Sequence, residues 1–427
     1  MRVIVFAING CPAGWLGVYG NDWVGTPNLD RIAAEGITFD RHISDCPEPT
    51  AARKAWRGYG PGGLGPVPIP SILVRANHPD TDGPEWFYAG WQEVFDARPR
   101  SEDVSPLDEL LRTFPALLDR LATTPDFLLW IETDRLIPPW DVQQDVFEAY
   151  LEGAAEERTQ PKTAEADEQE ELEGAEEEEN EENEDSEEDS EETPESPEPA
   201  INEEPVLPFA DPPTGPFDRA DLDAWDWLHR TFAAVVTKFD AELGILLEHL
   251  RSRGMDQSAA WLVTSDFGYP LGEHGQIGLY RPWLHEELVH LPLLLRLPGA
   301  EQHGRRIAGF TQPPDLFPTL CALVGHPPSA DTKGFDLLPL ARGESSPPRE
   351  FAITQLELGE AAEMAIRTDE WALLVPTRVP EGEQRRESLL YAKPDDRWEV
   401  NDLHARNIER ADELEAKLRE IFGQKRD

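Results

Sequence analysis

The chain has 427 residues, enough for one large α/β domain plus a smaller unit, and carries 85 Asp and Glu against 38 Lys and Arg, a formal charge of -47. That sign excludes the basic footprint that nucleic-acid phosphates demand. Three widely spaced cysteines, Cys11, Cys46 and Cys321, form neither a disulfide framework nor a zinc-binding pattern.

Residues 3–8 form a short β-rich apolar run ending at Asn9-Gly10, which predicts a first strand followed by a loop. Met1 to Ile8 is too short for a signal-peptide core with its cleavage site. No apolar stretch reaches membrane-spanning length, so a soluble cytoplasmic protein without membrane contact is expected. Thr26 is placed to cap a helix that has Pro27 at its first position, with Leu29, Ile32 and Ala33 at helical spacing and Gly36 closing it. Phe127 to Ile131 reads as a second buried strand. From Asp167 to Glu198, 20 of 32 residues are Asp or Glu, and no Lys or Arg stands between Lys162 and Arg219. Such a run repels itself and buries too little apolar surface to offset chain entropy. Residues 155–205 are therefore expected to be a disordered acidic insert, either a solvated spacer or a docking segment for a basic protein partner or metal ions.

Beyond the insert, Trp225 to Leu250 is periodic and helical, with Phe239, Leu243, Leu246 and Leu247 on one face. Ala259 to Thr264 and Leu291 to Leu297 are two further apolar strands, the first ending at Ser265-Asp266. Continuous apolar strands alternating with helices predict a parallel sheet covered on both faces. Sites in such sheets collect beyond the carboxyl ends of the strands, where Asn9 and Asp266 both stand. After Pro347 the segments shorten. Residues 351–354, 364–367, 371–375 and 389–391 read as antiparallel strands, and Ile408 to Phe422 as a charged terminal helix.

The segments Leu16-Gly17-Val18-Tyr19-Gly20-Asn21 and Thr26-Pro27-Asn28-Leu29-Asp30-Arg31 resemble the opening of sulfatases, members of the alkaline phosphatase superfamily. Further matches follow in family order: Val263-Thr264-Ser265-Asp266, Leu271-Gly272-Glu273-His274-Gly275, Glu286 to Pro292, Pro314 to Leu320, and the tail from Ala365 to Leu403. The resemblance implies an α/β, alkaline-phosphatase-like fold: a mixed, mostly parallel sheet between helices, plus a small C-terminal α+β unit. It divides the chain into 1–345, interrupted by the insert at 155–205, and 346–427.

Sulfatases hydrolyse sulfate or phosphate esters with a divalent cation, and a hard cation needs several anionic oxygen ligands. The family's acidic ligand pairs fall here on Asn9 and Gly10, and on Asp266 and Phe267, so Asp266 and Asn9 remain as metal-ligand candidates. The nucleophile position falls on Pro49, which has no nucleophilic side chain. Thr50, one residue later, is the substitute candidate, and it would need a metal or a base to activate it. Arg53 matches the family arginine beside the nucleophile, and Arg281 falls at an anion-binding lysine. The catalytic histidine position is Leu136, while His274 is retained. These substitutions lead to the expectation of a catalytically impaired family member, its remnant pocket still suited to a sulfated or phosphorylated anion. The alternative is an active ester hydrolase using Thr50 or water, with calcium or magnesium at Asp266.

Overall fold

The computed structural model describes residues 1–58, 69–97, 105–159, 206–328, 331–381 and 387–423. Strand β1 (Arg2–Ile8) lies at the centre of the main sheet because every residue after Arg2 is apolar and buried. Its neighbours are β5 (Phe127–Thr133) on one side and β6 (Ala259–Thr264) on the other, both parallel to it. Beyond β5 come β3 (Ser71–Ala76) and β4 (Glu93–Asp96), also parallel. Beyond β6 come β7 (Leu293–Arg296), β2 (Ile37–Ile43) and β8 (Arg305–Thr311). Strand β7 pairs antiparallel with both β6 and β2, which makes the sheet mixed but mostly parallel, as expected.

Both faces of the sheet are dry, and the alternation of side chains along each strand shows it. From β1, Ile4, Phe6 and Ile8 enter one core with Leu129 of β5 and Trp261 of β6. Val3, Val5 and Ala7 enter the other with Trp130 and Leu262. The first face is covered by α3 (Pro106–Ala122) and α5 (Leu222–Arg251). The second is covered by α2 (Pro49–Trp56) and α6 (Leu316–Val324).

The C-terminal strands β9 (Ala352–Leu358), β10 (Ala361–Arg367), β11 (Trp371–Arg378) and β12 (Leu389–Ala392) form an antiparallel meander. Its outer face packs on α7 (Ile408–Gly423) through Leu373, Leu390, Leu414 and Leu418. Its inner face, with Leu356 and Tyr391, joins the main core.

Three details differ from the sequence expectation. Helix α1 (Pro27–Ala34) starts where predicted, but the Thr26 side chain does not cap it. Asp240 of α5 does so instead, accepting from the Asn28 and Leu29 amides at 2.9 Å each. The Thr26 hydroxyl meanwhile accepts from the Gly17 amide. A carboxylate brought by tertiary packing thus supersedes the local cap. Second, Pro292 splits the predicted 291–297 strand into His290–Leu291, paired with β2, and β7; proline offers no ladder donor. Third, helix α4 (Gln144–Thr159) continues through 155–159, where the insert was expected to begin, and residues 160–205 lie outside the described residues. Among the described residues, no helix is long and apolar enough to cross a membrane.

Candidate functional site

Four neighbouring parallel strands, β6, β1, β5 and β3, each deliver a polar residue at or just beyond the carboxyl end. These are Asp266, Asn9, Glu132 and Asn77, and all four are buried. The Asn9 amide donates to Asp266 Oδ2 at 2.7 Å and to Glu132 Oε1 at 3.3 Å, while its own oxygen accepts from Asn77 Nδ2 at 2.6 Å. Asp266 Oδ1 accepts from the Gly10 and Phe267 amides at 3.0 and 2.9 Å. Asn9 and Asp266 therefore do converge, as their strand-end positions predict.

Arg53 enters this cluster from α2. Its Nη2 lies 2.6 Å from Glu132 Oε1 and its Nε donates to the same oxygen at 2.8 Å. Nη2 also donates to the Thr81 carbonyl at 3.0 Å. Burial works against the guanidinium charge, but Glu132 and then Asp266 outweigh it, so the Arg53 pKa is raised. Burial pushes the Asp266 carboxyl up to about 6, opposed by Arg53 and by the Gly10 amide. A buried ion pair of this kind is costly to assemble but far more costly to break.

A hard divalent cation does not fit these residues. The oxygens of Asn9 and Asp266 already accept N–H donors, and the positive charge facing Glu132 and Asp266 is the Arg53 guanidinium. Gly10 has φ of +69°, and a Cβ there would come within 2.9 Å of Ile137. The backbone itself thus disfavours an acidic ligand at position 10. Phe267 is buried and apolar. Among the described residues, no group of three or more His, Cys, Asp or Glu could hold a metal ion.

The other candidates lie in different surroundings. Pro49 is the first residue of α2, and the Glu48 carboxylate accepts from the Thr50 and Ala51 amides at 3.0 and 2.8 Å. An acidic side chain closes the helix end on which Thr50 sits, so that end is already neutralised. Burial pushes the Cys46 thiol up to about 12, which disfavours the thiolate form. The guanidinium of Arg281 stacks on Trp283, 3.8 Å from the ring centroid. Leu136 is fully buried in the core.

His274 belongs to a second polar cluster, at the junction with the C-terminal sheet. Its Nδ1 lies 2.7 Å from Glu287 and its Nε2 lies 3.0 Å from the Glu399 carbonyl. The ring stacks on His285 with centroids 3.6 Å apart and the two planes nearly parallel. Glu399 bonds His285, Arg367 and Lys393 at 3.1, 2.8 and 3.1 Å. Burial lowers the His274 pKa, but the hydrogen bond and charge of Glu287 outweigh it, so the net shift is upward; burial lowers that of His285. The sign for His274 follows from linkage: stability from a raised pKa is present below the unfolded value near 6.5 and lost as pH rises through the folded value. His274→Gln should therefore destabilise most below that pH, with the deficit shrinking on the alkaline side. Thermal midpoints of both proteins over a pH series check this, and a pH-independent deficit would refute it.

Sequence reasoning missed Glu132, Asn77, Glu287 and Glu399. Two of them carried a signal: Glu132 is a carboxylate ending the apolar run Phe127 to Ile131, and Glu287 stands in the matched run Glu286 to Pro292.

Residues 152–326 match the family model described as Sulfatase. The chain is 30% identical over 122 residues to N-acetylglucosamine-6-O-sulfatase of Bacteroides thetaiotaomicron, covering 29% of this chain and 22% of that one. It is 28% identical over 128 residues to arylsulfatase K of Canis lupus familiaris, covering 30% and 23%. The matched stretch therefore spans under a quarter of these relatives' length. Among solved structures, the phosphonate monoester hydrolase of Agrobacterium radiobacter superposes with a TM-score of 0.69 at 15% identity, covering 99% of this chain and 95% of that one. At that identity the superposition shows the shared fold. Residues 152–326 thus match the Sulfatase family model, and the chain as a whole shares its fold with solved sulfatases and phosphonate monoester hydrolases.

Proposed function

We propose that this chain is a catalytically impaired sulfatase-family protein, in which the hydrolase scaffold persists without its ester-cleaving machinery. The observation that carries the reading is the Arg53–Glu132 pair beside Asp266. A fixed guanidinium occupies the electrostatic role that a divalent cation would fill, and it cannot polarise an ester or lower a hydroxyl pKa as a Lewis acid does. Thr50 would need such an activator. Within this reading a sulfated or phosphorylated anion is still expected to bind through Arg53 and Arg281, guanidinium forks suited to such a group.

The purified protein is expected to turn over neither aryl sulfate, aryl phosphate nor aryl phosphonate monoesters, and to show no thermal shift with millimolar calcium or magnesium. Turnover that disappears in both Asp266→Ala and Thr50→Val would overturn the reading in favour of an active hydrolase.

A further inference from the structure

A cavity of about 520 Å³ opens on the side of the main sheet where the loops after β1 and β6 emerge, a size within the range of about 300–1,000 Å³ usual for small-molecule sites. Four indoles line it: Trp15 and Trp23 from the loop after β1, Trp225 from α5, and Trp398 from the segment between β12 and α7. Glu273 and Glu287 lie on its wall. It shares no lining residue with the Arg53–Asp266 cluster.

The rings are not simply core. Trp23 and Trp398 are 41% and 51% exposed, and the adjacent Leu222 and Val400 are 71% and 65% exposed. Exposed apolar residues gathered around a concavity mark a binding site rather than scattered surface. The rings are also held in place. Trp225 lies tilted against His229 with centroids 3.8 Å apart, and Trp15 meets His229 edge-on at 5.0 Å. A Cβ on Gly14 would meet the Cη2–Cζ3 edge of the Trp398 ring at 3.0 Å, and the Arg397 guanidinium lies 4.8 Å from the centroid of that ring, which already acts as a cation partner.

From these groups we infer that the cavity is a site for a small organic ammonium ligand, its cationic head against the indole faces and paired with Glu273 and Glu287. Indole is the best aromatic partner for a cation, and desolvated cation–π contacts are the strong ones. The carboxylates supply the charge. Glu287 is bonded to His274, while Glu273 accepts the Leu271 amide at 2.6 Å, with the neighbouring His274 as the basic group acting on it. Burial, and after it the nearby Glu287 charge, pushes the Glu273 carboxyl up to about 7. A neutral sugar would leave this repulsion in place, whereas an ammonium group relieves it. Arg219, also on the wall, offers a partner for a hydroxyl or anionic end of the same molecule. The formal charge of -47 further concentrates cations around the protein.

The test is a titration of the full chain with choline and with its uncharged carbon isostere dimethylbutanol, followed by tryptophan fluorescence and calorimetry. Choline is expected to give saturable quenching and to bind about tenfold more tightly than the isostere. Trp398→Ala, at an exposed position, and Glu273→Gln, which retains an acceptor for the Leu271 amide, should each weaken choline binding roughly five- to tenfold while the proteins still unfold cooperatively. Equal binding of choline and the isostere, absence of a saturable signal, or wild-type affinity in Trp398→Ala would each overturn the assignment. So would tighter binding of N-acetylglucosamine than of choline, which would give the cavity to neutral sugars.

Discussion

Arg53→Ala is expected to destabilise the protein by about 3–5 kcal/mol, the usual result of removing one partner from a buried ion pair. The change leaves Glu132 and Asp266 side by side with no positive charge, and both are 1% exposed. The loss should depend on pH in a defined sense. Asp266 already has its carboxyl raised to about 6 with Arg53 as its chief counter-charge. Without Arg53 it rises further, and a raised folded pKa contributes stability that is present in acid and lost as pH increases through that value. The deficit should therefore be smallest below pH 4 and grow through pH 6 and above. Replacing both partners, as Arg53→Met with Glu132→Leu, should restore most of the stability, because an apolar pair of similar volume carries no desolvation cost. Urea denaturation of the three proteins at two pH values measures all of this. A single-mutant loss below about 1 kcal/mol would mean that the pair is solvated and weak.

The second large effect is expected at Asn9. Its amide is the donor that lets two carboxylates stand within hydrogen-bond reach of one group. Asn9→Asp converts that donor into a third buried carboxylate and should destabilise by about 3 kcal/mol or more at neutral pH, with partial recovery in acid. If the Arg53 guanidinium already supplies the positive charge, calcium should not rescue the variant. Rescue, seen as a rise in thermal midpoint on adding millimolar calcium, would show that a single substitution rebuilds a cation site. That outcome would also undercut the proposed impairment, so this variant is the sharper of the two.

These two positions show how unevenly the site could be read from the chain. That Asn9 and Asp266 meet follows from strand order alone, since each ends a buried parallel strand. That Gly10 and Phe267 offer no ligand is plain from their side chains. The partners that decide the electrostatics were less visible. Arg53 could be named as a candidate cation, but its engagement with Glu132 needs α2 packed over the second face of the sheet, 79 residues apart along the chain. Asn77 and Glu132 become neighbours of Asn9 only because β3 and β5 lie on that side of β1. His274 fell among the candidates by motif, and the structure shows the Glu287–Glu399 network around it. The Trp cavity gave no local signal either, because its four indoles come from three separate regions of the sequence.

The sequence by itself determined the architecture: apolar strands with both faces buried, the long α5, and the antiparallel C-terminal strands. Those features depend on periodicity and composition within single segments, which burial enforces locally. It also determined which side chains stand at the family-matched positions, proline, glycine, phenylalanine and leucine, on which the proposed impairment rests. The tertiary structure alone decided what surrounds Asp266 and Asn9. Whether a buried carboxylate faces a guanidinium, an amide or another carboxylate depends on which strands adjoin and which helix covers them. Hydrogen bonding and Coulomb interactions act over a few ångströms of space, whatever the separation along the chain.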